Sequence, residues 1–399
     1  MNSVFAIISL SFLLFTPLLM QNSGWAFDIP RVLSGVPLIL VSIIFVKNWS
    51  SLGLTKKQKW LFFISVLFFL TSLVRGCLNS NVSLIGILAY TRSYWVFILA
   101  FCLGVFLAKN KKIQSTKEVI LLFFVVSIPI LLFEYIFKTD AAQVLGYIKL
   151  SGMSPEAWDG SHSKPFFNLK SFDDLVVYRP TGPTGSTISY AYVLMSLPLL
   201  FPIYKFRFYV SILISFLLCL ILGSKGGVIN IIMLSVFLFI LKFTSKKKIV
   251  YSLAVLMPCL LSFVQVMTGD NHGLGLAFGF GNLLAEPLGH GLGFGGNLSG
   301  EYFNQSDDGR SLIYGSESIF GVYMTQIGFP FFIQLGLVLS IITSSVKDKS
   351  TLILSVVCMQ IVFLGLAQEE AWSTYSSIPF ILLGMSTYSS KKLSMENRI

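Results

Sequence analysis

Residues 208–224 read FYVSILISFLLCLILGS and residues 226–242 read GGVINIIMLSVFLFILK, with only Lys225 between them. Each run approaches the roughly 20 mainly apolar residues that an α-helix needs to cross a bilayer. Basic residues at the ends of a slightly short run can extend to the membrane surface, which makes up the missing length. This stretch therefore predicts two membrane-spanning helices joined by a short polar turn.

Similar apolar runs recur along the whole chain. We count twelve, which predicts an all-α, polytopic membrane protein that forms one membrane domain over residues 1–399. The first run lacks a basic leading segment, so we expect a first transmembrane helix there rather than a cleaved signal peptide. The twelve runs centre on 3–20, 30–46, 60–75, 91–108, 118–137, 187–204, 208–224, 226–242, 249–268, 318–343, 350–367 and 374–389.

Composition excludes several classes of protein. Of the 399 residues, 54% are hydrophobic and 12% are charged, whereas soluble domains carry about 25% charged residues. A water-soluble enzyme is therefore excluded, as is a disordered chain. The five cysteines are scattered without a CxxC pair, which argues against a disulfide framework or a zinc site.

The net charge of +11 reflects membrane topology. With the amino terminus in the cytoplasm, the predicted inner segments hold 19 of the 29 lysines and arginines, although these segments are short. Such an excess is typical of cytoplasmic loops. We therefore expect both termini in the cytoplasm and no nucleic-acid partner.

Two long segments on the predicted outer side break the apolar pattern, at 138–186 and 269–317. Because the inner loops are short, we expect recognition and chemistry outside, where no nucleotide is available. The second segment is rich in glycine and repeats His-Gly-Leu-Gly at 272–275 and 290–293, which we interpret as turn-forming sequence.

Several basic residues lie beside or within the apolar runs on the outer side. An arginine in a membrane segment is costly and is a functional candidate by default. The guanidinium fork matches phosphate oxygens, so such a cluster suits a lipid-borne diphosphate. For Arg31 and Arg75 we expect contact with lipid headgroups instead. The candidates are Arg92, Arg179, Lys225 and Arg310.

Two further motifs attract attention. Arg179 opens Arg-Pro-Thr-Gly-Pro-Thr-Gly-Ser-Thr at 179–187, which is either a site for anions or sugar hydroxyls or an ordinary turn. Glu317 precedes a predicted helix, where it either complements the helix dipole or serves as a general base. Glu369 and Glu370, in a short outer loop, are secondary candidates. The three histidines form no HxxxH pair, so no metal site is expected.

Taken in order, these motifs resemble the Wzy-type O-antigen and capsule repeat-unit polymerases of bacteria, within the O-antigen ligase and polymerase superfamily. Arg310 followed by Gly321 also matches that family's pattern of an arginine, ten residues and a glycine. The first outer loop departs from it, because Tyr190 stands where a glycine is expected. The motifs are Tyr90-Thr-Arg92, Arg179–Gly185, Gly223-Ser-Lys-Gly226, Pro287–Gly296, Glu317-Ser318 and Gln326-Ile-Gly328.

The resemblance implies a GT-C-like, metal-independent glycosyltransferase without a cofactor. It would join undecaprenyl-diphosphate-linked oligosaccharide units at the periplasmic face of the bacterial cytoplasmic membrane. Its implied partners are that lipid-linked oligosaccharide, membrane lipids, a chain-length regulator and a flippase. Glu317 and Arg310 would be catalytic. The residues that would bind diphosphate or sugar are Arg179, Arg92, Lys225, Tyr314 and His290.

Two alternatives stay open. An O-antigen ligase would transfer finished glycan to lipid A core and would use a histidine in the second outer loop, which His272 and His290 provide. A flippase of lipid-linked sugars would carry out no chemistry, but it would favour inverted repeats and charges near the bilayer midplane.

Overall fold

The computed structural model describes residues 54–79, 82, 84–148, 154–165, 176–184, 186–243, 247–296 and 317–396. Predictions for the runs at 3–20 and 30–46 lie outside these residues. The described chain is almost entirely helical. Its α-helices are α1 (Lys56–Leu78), α2 (Leu84–Lys109), α3 (Ile113–Val144), α4 (Pro155–His162), α5 (Thr187–Leu194), α6 (Phe206–Ile221), α7 (Lys225–Phe243), α8 (Lys247–Thr268), α9 (Asn271–Ala285), α10 (Ile319–Gln326), α11 (Phe331–Ser344), α12 (Lys349–Leu364) and α13 (Ile378–Glu396).

Shorter elements complete the fold. Strands β1 (Ser163–Pro165) and β2 (Val176–Tyr178) pair antiparallel, so the all-α prediction misses one small two-stranded sheet in the first long segment. The 3-10 helices are Gly182–Thr184, Pro198–Leu200, Glu369–Trp372 and Tyr375–Ser377. The described residues form two compact units, one from 110–243 and the other from 54–109 with 247–396.

Membrane embedding is supported by the length and the surface of the helices. In the described part of the chain, α1, α2 from Gly86, α3 and α8 are long and apolar enough to cross a bilayer. Large apolar side chains also point away from the protein; Phe63 of α1, for example, is 62% exposed. Surfaces of this kind are rare on soluble proteins but suit contact with lipid. The predicted helical membrane protein is therefore supported in its coarse form.

Two predicted runs are wrong as single helices. In 187–204, α5 ends at Leu194 and the chain continues through a turn into the 3-10 helix that starts at Pro198. In 318–343, α10 and α11 are separated at Gly328, whose φ of 75° ends the first helix. Proline removes a backbone donor and glycine permits positive φ, and both effects interrupt helices that apolar content alone would join.

The second long segment, 269–317, is also more ordered than predicted. Its first part is the 15-residue helix α9, and the side chain of Asp270 caps it by accepting the N–H of His272 at 3.0 Å. The first His-Gly-Leu-Gly copy therefore lies in a helix, which corrects its interpretation as a turn. The second copy does form turns, because Gly289, Gly291 and Gly293 all have positive φ.

Glycines bring helices of the second unit unusually close together. A Cβ atom on Gly104 of α2 would collide with the carbonyl of Ile381 in α13, and one on Gly384 would collide with the carbonyl of Phe101. In the same way, Gly279 of α9 lies against the backbone of Gly321 in α10. Small residues at such crossings are typical of helix packing in membranes.

The first unit is built around α3 and the α6–α7 hairpin. As predicted, the runs at 208–224 and 226–242 form two helices joined by a tight turn, where Gly223 has a φ of 60°. Tyr190 of α5 is fully buried, and its hydroxyl donates to Ser127 Oγ of α3 at 2.7 Å.

Candidate functional site

Glu317 lies at the turn that leads into α10. Its backbone adopts a φ of 69°, a region that non-glycine residues rarely occupy. The next residue, Ser318, caps the helix, and its Oγ accepts the N–H of Gly321 at 3.2 Å. The Glu317 side chain remains 35% exposed. Strained backbone of this kind tends to mark functional positions.

A second carboxylate supports this turn. Glu369 Oε2 accepts the backbone N–H of Glu317 at 3.3 Å, and Glu369 Oε1 accepts the hydroxyl of Tyr90 at 2.6 Å. Glu369 begins the 3-10 helix Glu369–Trp372, whereas Tyr90 is buried in α2. The sequence ranked Glu369 as a secondary candidate; the structure brings it to Glu317.

His272, in the first turn of α9, joins the same group. Its Nδ1 lies 3.0 Å from the carbonyl oxygen of Glu317 and 3.4 Å from Glu317 Oε2. We call Tyr90, His272, Glu317 and Glu369 the acidic cluster. It combines two carboxylates, a phenol and an imidazole, all able to accept or donate protons.

Arg92 lies in α2, two residues after Tyr90 of the acidic cluster. The Tyr90-Thr-Arg92 motif was expected before a helix but lies inside α2, which begins at Leu84. Tyr323 donates from its hydroxyl to the Tyr90 carbonyl at 3.1 Å, and the two rings lie edge to face with centroids 6.4 Å apart. The Tyr90-Thr-Arg92 motif therefore contacts the acidic cluster through the Tyr90 hydroxyl.

The glycine-rich loop Pro287–Gly296 is held in the second unit by backbone hydrogen bonds. His290 N–H donates to the Thr325 carbonyl at 2.9 Å, Gly291 N–H to that of Gln326 at 3.0 Å, and Leu292 N–H to that of Ser72 at 2.9 Å. These bonds fix the loop between α1 and α10.

Two side chains around this loop, His290 and Arg75, contact residues of the loop and its flanks. The His290 ring stacks on Phe294 with centroids 4.8 Å apart, and burial lowers the pKa of His290. Arg75, expected at lipid headgroups, donates from Nη1 to the Leu288 carbonyl at 3.1 Å and lies 3.9 Å from Glu286 Oε2. Among the hydrogen bonds and ion pairs of the described residues, none joins His290 to the acidic cluster.

Arg179 occupies a separate site in the first unit. Its backbone N–H donates to the His162 carbonyl at 2.9 Å. Its side chain lies across Gly223, where a Cβ atom would be 3.0 Å from Arg179 Cγ and 3.2 Å from Nε. Burial lowers the pKa of Arg179. The guanidinium therefore lies close to the turn before α7.

The turn before α7 leads directly into the amino-terminal end of that helix. Ser224 Oγ accepts the N–H of Gly227 at 3.2 Å, and Lys225 is the first residue of α7. The positive end of a helix dipole, next to an arginine, favours an anion.

Sequence reasoning missed Glu134, which anchors the turn after Arg179. The carboxylate of Glu134, in α3, is fully buried and accepts from Thr181 N, Thr181 Oγ1 and Gly182 N at 2.9, 3.0 and 2.9 Å. An acid inside the apolar run 118–137 was the signal that could have identified it, because such residues are rarely without a function in membranes.

Three predicted site residues are not part of these contacts. Arg310 and Tyr314 lie outside the described residues, as does the side chain of Lys225. Within the described ranges, no group of three or more His, Cys, Asp or Glu side chains is arranged to hold a metal ion.

Comparison with known proteins adds no assignment. No protein-family model matches the chain, and no curated protein matches it.

Proposed function

We propose that the protein is a membrane glycosyltransferase that polymerises undecaprenyl-diphosphate-linked oligosaccharide units into O-antigen or capsular polysaccharide. The observation that carries this proposal is the acidic cluster, in which Glu317 is held between His272 and Glu369 at the start of α10. A partly exposed carboxylate with fixed backbone position suits the activation of a sugar hydroxyl.

Glu317 is the proposed general base. It would accept the proton of the acceptor hydroxyl while that oxygen attacks the anomeric carbon of the donor sugar, and the bond to the lipid diphosphate would break. General-base assistance is typically worth about 10²–10⁴ in rate. Glu369 and His272 would fix the direction in which the Glu317 carboxylate points, since both contact its backbone.

Cations would stabilise the departing diphosphate. Negative charge grows on the phosphate oxygens as the glycosidic bond breaks, and preorganised positive charge lowers that barrier. We assign this role to Arg310, with Arg179, Arg92 and Lys225 as binding residues and Tyr314 and His290 as sugar contacts. Arg92 is supported by its place in α2, two residues after Tyr90, whose hydroxyl donates to Glu369.

The proposed setting follows from the charge pattern. Twelve spans in a GT-C-like arrangement, with both termini in the cytoplasm of a bacterium, would place Glu317 at the periplasmic surface. There the substrate is lipid-linked, and no metal or other cofactor is required by this mechanism. A flippase that delivers the substrate and a chain-length regulator would be partners.

One observation favours a second candidate, the O-antigen ligase. That activity would use a histidine from the second outer segment, and His272 Nδ1 lies 3.4 Å from Glu317 Oε2. The two enzymes differ in the acceptor, which is a lipid-linked unit for a polymerase and lipid A core for a ligase.

The test is extension of a lipid-linked repeat unit by the purified full-length protein in nanodiscs. The substrate is extracted from the strain that carries the gene, and products are separated by mass. A ladder spaced by one repeat supports the polymerase, whereas transfer only to added lipid A core supports the ligase. Transbilayer movement without any new bond supports the flippase and overturns the proposal. Glu317→Gln should abolish the ladder. Glu286→Gln is its matched control, because Glu286 is an exposed acid of the same unit outside the acidic cluster.

A further inference from the structure

Glu134 is an acid buried within a candidate membrane span. Its side chain is 0% exposed in α3, a helix whose sequence is otherwise strongly apolar. A buried carboxylate is costly unless hydrogen bonds replace its water. All three hydrogen bonds come from one place, namely Thr181 N, Thr181 Oγ1 and Gly182 N. The carboxylate therefore fastens this turn to α3.

The turn itself is held in one conformation. Gly182 has a φ of 63°, and a Cβ atom there would lie 3.1 Å from the Tyr190 ring. On the other side, Thr187 Oγ1 donates to the Pro180 carbonyl at 2.9 Å. With both sides fixed, the Glu134 carboxylate determines how deeply the turn lies against α3.

Arg179 precedes this turn by two residues. Its backbone is fixed at 2.9 Å to the His162 carbonyl, and its side chain passes over Gly223 at the entrance to α7. A shift of the Thr181–Gly182 turn would therefore move the guanidinium relative to the first amides of α7. Displacements of about 1 Å are enough to weaken a positioned contact strongly.

We propose that Glu134 is a positioning residue for Arg179, which it holds where the guanidinium can bind a phosphate of the lipid diphosphate. This inference rests on the proposed function. Both oxygens of the side chain are used as acceptors, Oε1 by the Thr181 N–H and hydroxyl and Oε2 by the Gly182 N–H. A glutamine would keep one acceptor oxygen but would direct an amide N–H at one of the three donors, leaving that donor without a partner.

The experiment measures binding of undecaprenyl diphosphate to the purified full-length protein in detergent, together with the kinetics of chain extension. Glu134→Gln should bind the probe about tenfold more weakly or worse, as expected when a buried donor of the turn loses its acceptor. The Michaelis constant for the lipid-linked donor should rise, whereas kcat should change little. A merely structural role would instead lower the amount of active protein and leave that constant unchanged.

A conservative pair makes the test independent of the folding of Glu134→Gln. Thr181→Val removes the hydroxyl that donates to Glu134 Oε1 and should weaken binding severalfold. Thr181→Ser keeps that hydroxyl and should bind like the wild type. Ser215→Ala is the control, because its buried hydroxyl donates to the Leu194 carbonyl at 2.8 Å and not to the turn.

The possible outcomes separate the two proposals. Wild-type protein that fails to bind undecaprenyl diphosphate overturns the proposed function. Wild-type binding that is matched by folded Glu134→Gln, or by Thr181→Val, overturns the role of Glu134 alone. Loss of binding in Ser215→Ala as large as that in Thr181→Val would also overturn it, since the effect would then be general destabilisation.

Discussion

The hydroxyl of Tyr90 donates a 2.6 Å hydrogen bond to Oε1 of Glu369, joining α2 to the 3-10 helix that precedes α13. The other oxygen of that carboxylate accepts the backbone N–H of Glu317. A hydrogen bond to an ionised group is short and strong, so it fixes the carboxylate rotamer. Through Glu369, Tyr90 thereby helps to hold the proposed base in place.

We predict that Tyr90→Phe lowers both stability and activity. Loss of a hydrogen bond to a charged group costs about 1.5–3 kcal/mol. Tyr94→Phe is the control, because Tyr94 lies one turn further along α2 and its hydroxyl shares a 3.0 Å hydrogen bond with Ser65 Oγ. Thermal unfolding and chain extension are measured for both variants. Tyr94→Phe should lose stability but retain activity; equal activities in the two variants would argue against the link through Glu369.

Glu317 allows backbone strain and chemistry to be separated. Glu317→Gln should slow turnover by roughly two to four orders of magnitude, because the amide cannot accept the proton. Glu317→Gly should also be inactive but at least as stable as the wild type, since glycine accepts a φ of 69° without strain. Single-turnover extension and thermal unfolding provide the two readouts. Near-normal turnover in folded Glu317→Gln would remove it as the base.

The sequence predicts the helices of this fold better than their interruptions. The apolar run 226–242 falls on the single helix α7, because an apolar run of nearly 20 residues without an internal proline favours one continuous helix. The break at Gly328 depends instead on a local backbone conformation within a run that is apolar on both sides. Helix α9 was missed for the opposite reason, since its glycines suggest turns, whereas Gly279 is used for close packing against Gly321.

In the candidate site, the sequence identifies individual residues but not the contacts between them. Glu317 could be found from the sequence because it is an isolated acid at the edge of an apolar run. Its contacts with His272 and Glu369 join positions 45 and 52 residues away in the chain, and no local pattern records such pairing. Glu134 was visible as an acid inside a membrane run, but its role depends on the turn at Thr181, which only the fold brings to it.

His290 should make stability depend on pH. Burial lowers the pKa of His290 below its ordinary value of 6.5. The unfolded chain takes up this proton near the ordinary value, whereas the folded state does so only at lower pH, so stability falls as the pH drops below about 6.5. Thermal unfolding in detergent at pH 7.5 and 5.5 should show a smaller difference for His290→Gln than for the wild type. An unchanged difference would mean that other groups cause the effect.

The close contact between Gly279 and Gly321 determines the spacing of α9 and α10. His272 lies in the first turn of α9 and Glu317 directly before α10, so this spacing also brings the two side chains together.

Gly279→Ala should be destabilising by about 1–3 kcal/mol or more, because the added methyl group would collide with the Gly321 backbone. It should also reduce activity by separating His272 from Glu317. Gly281→Ala, in the same helix, has no atom within 4 Å of the added methyl group. It should stabilise the protein by about 0.5–1 kcal/mol, because alanine favours helix more than glycine does. Thermal unfolding and chain extension of the two variants provide the comparison. Equal stability of the two variants would contradict the close packing, and full activity of a destabilised Gly279→Ala would contradict its link to the acidic cluster.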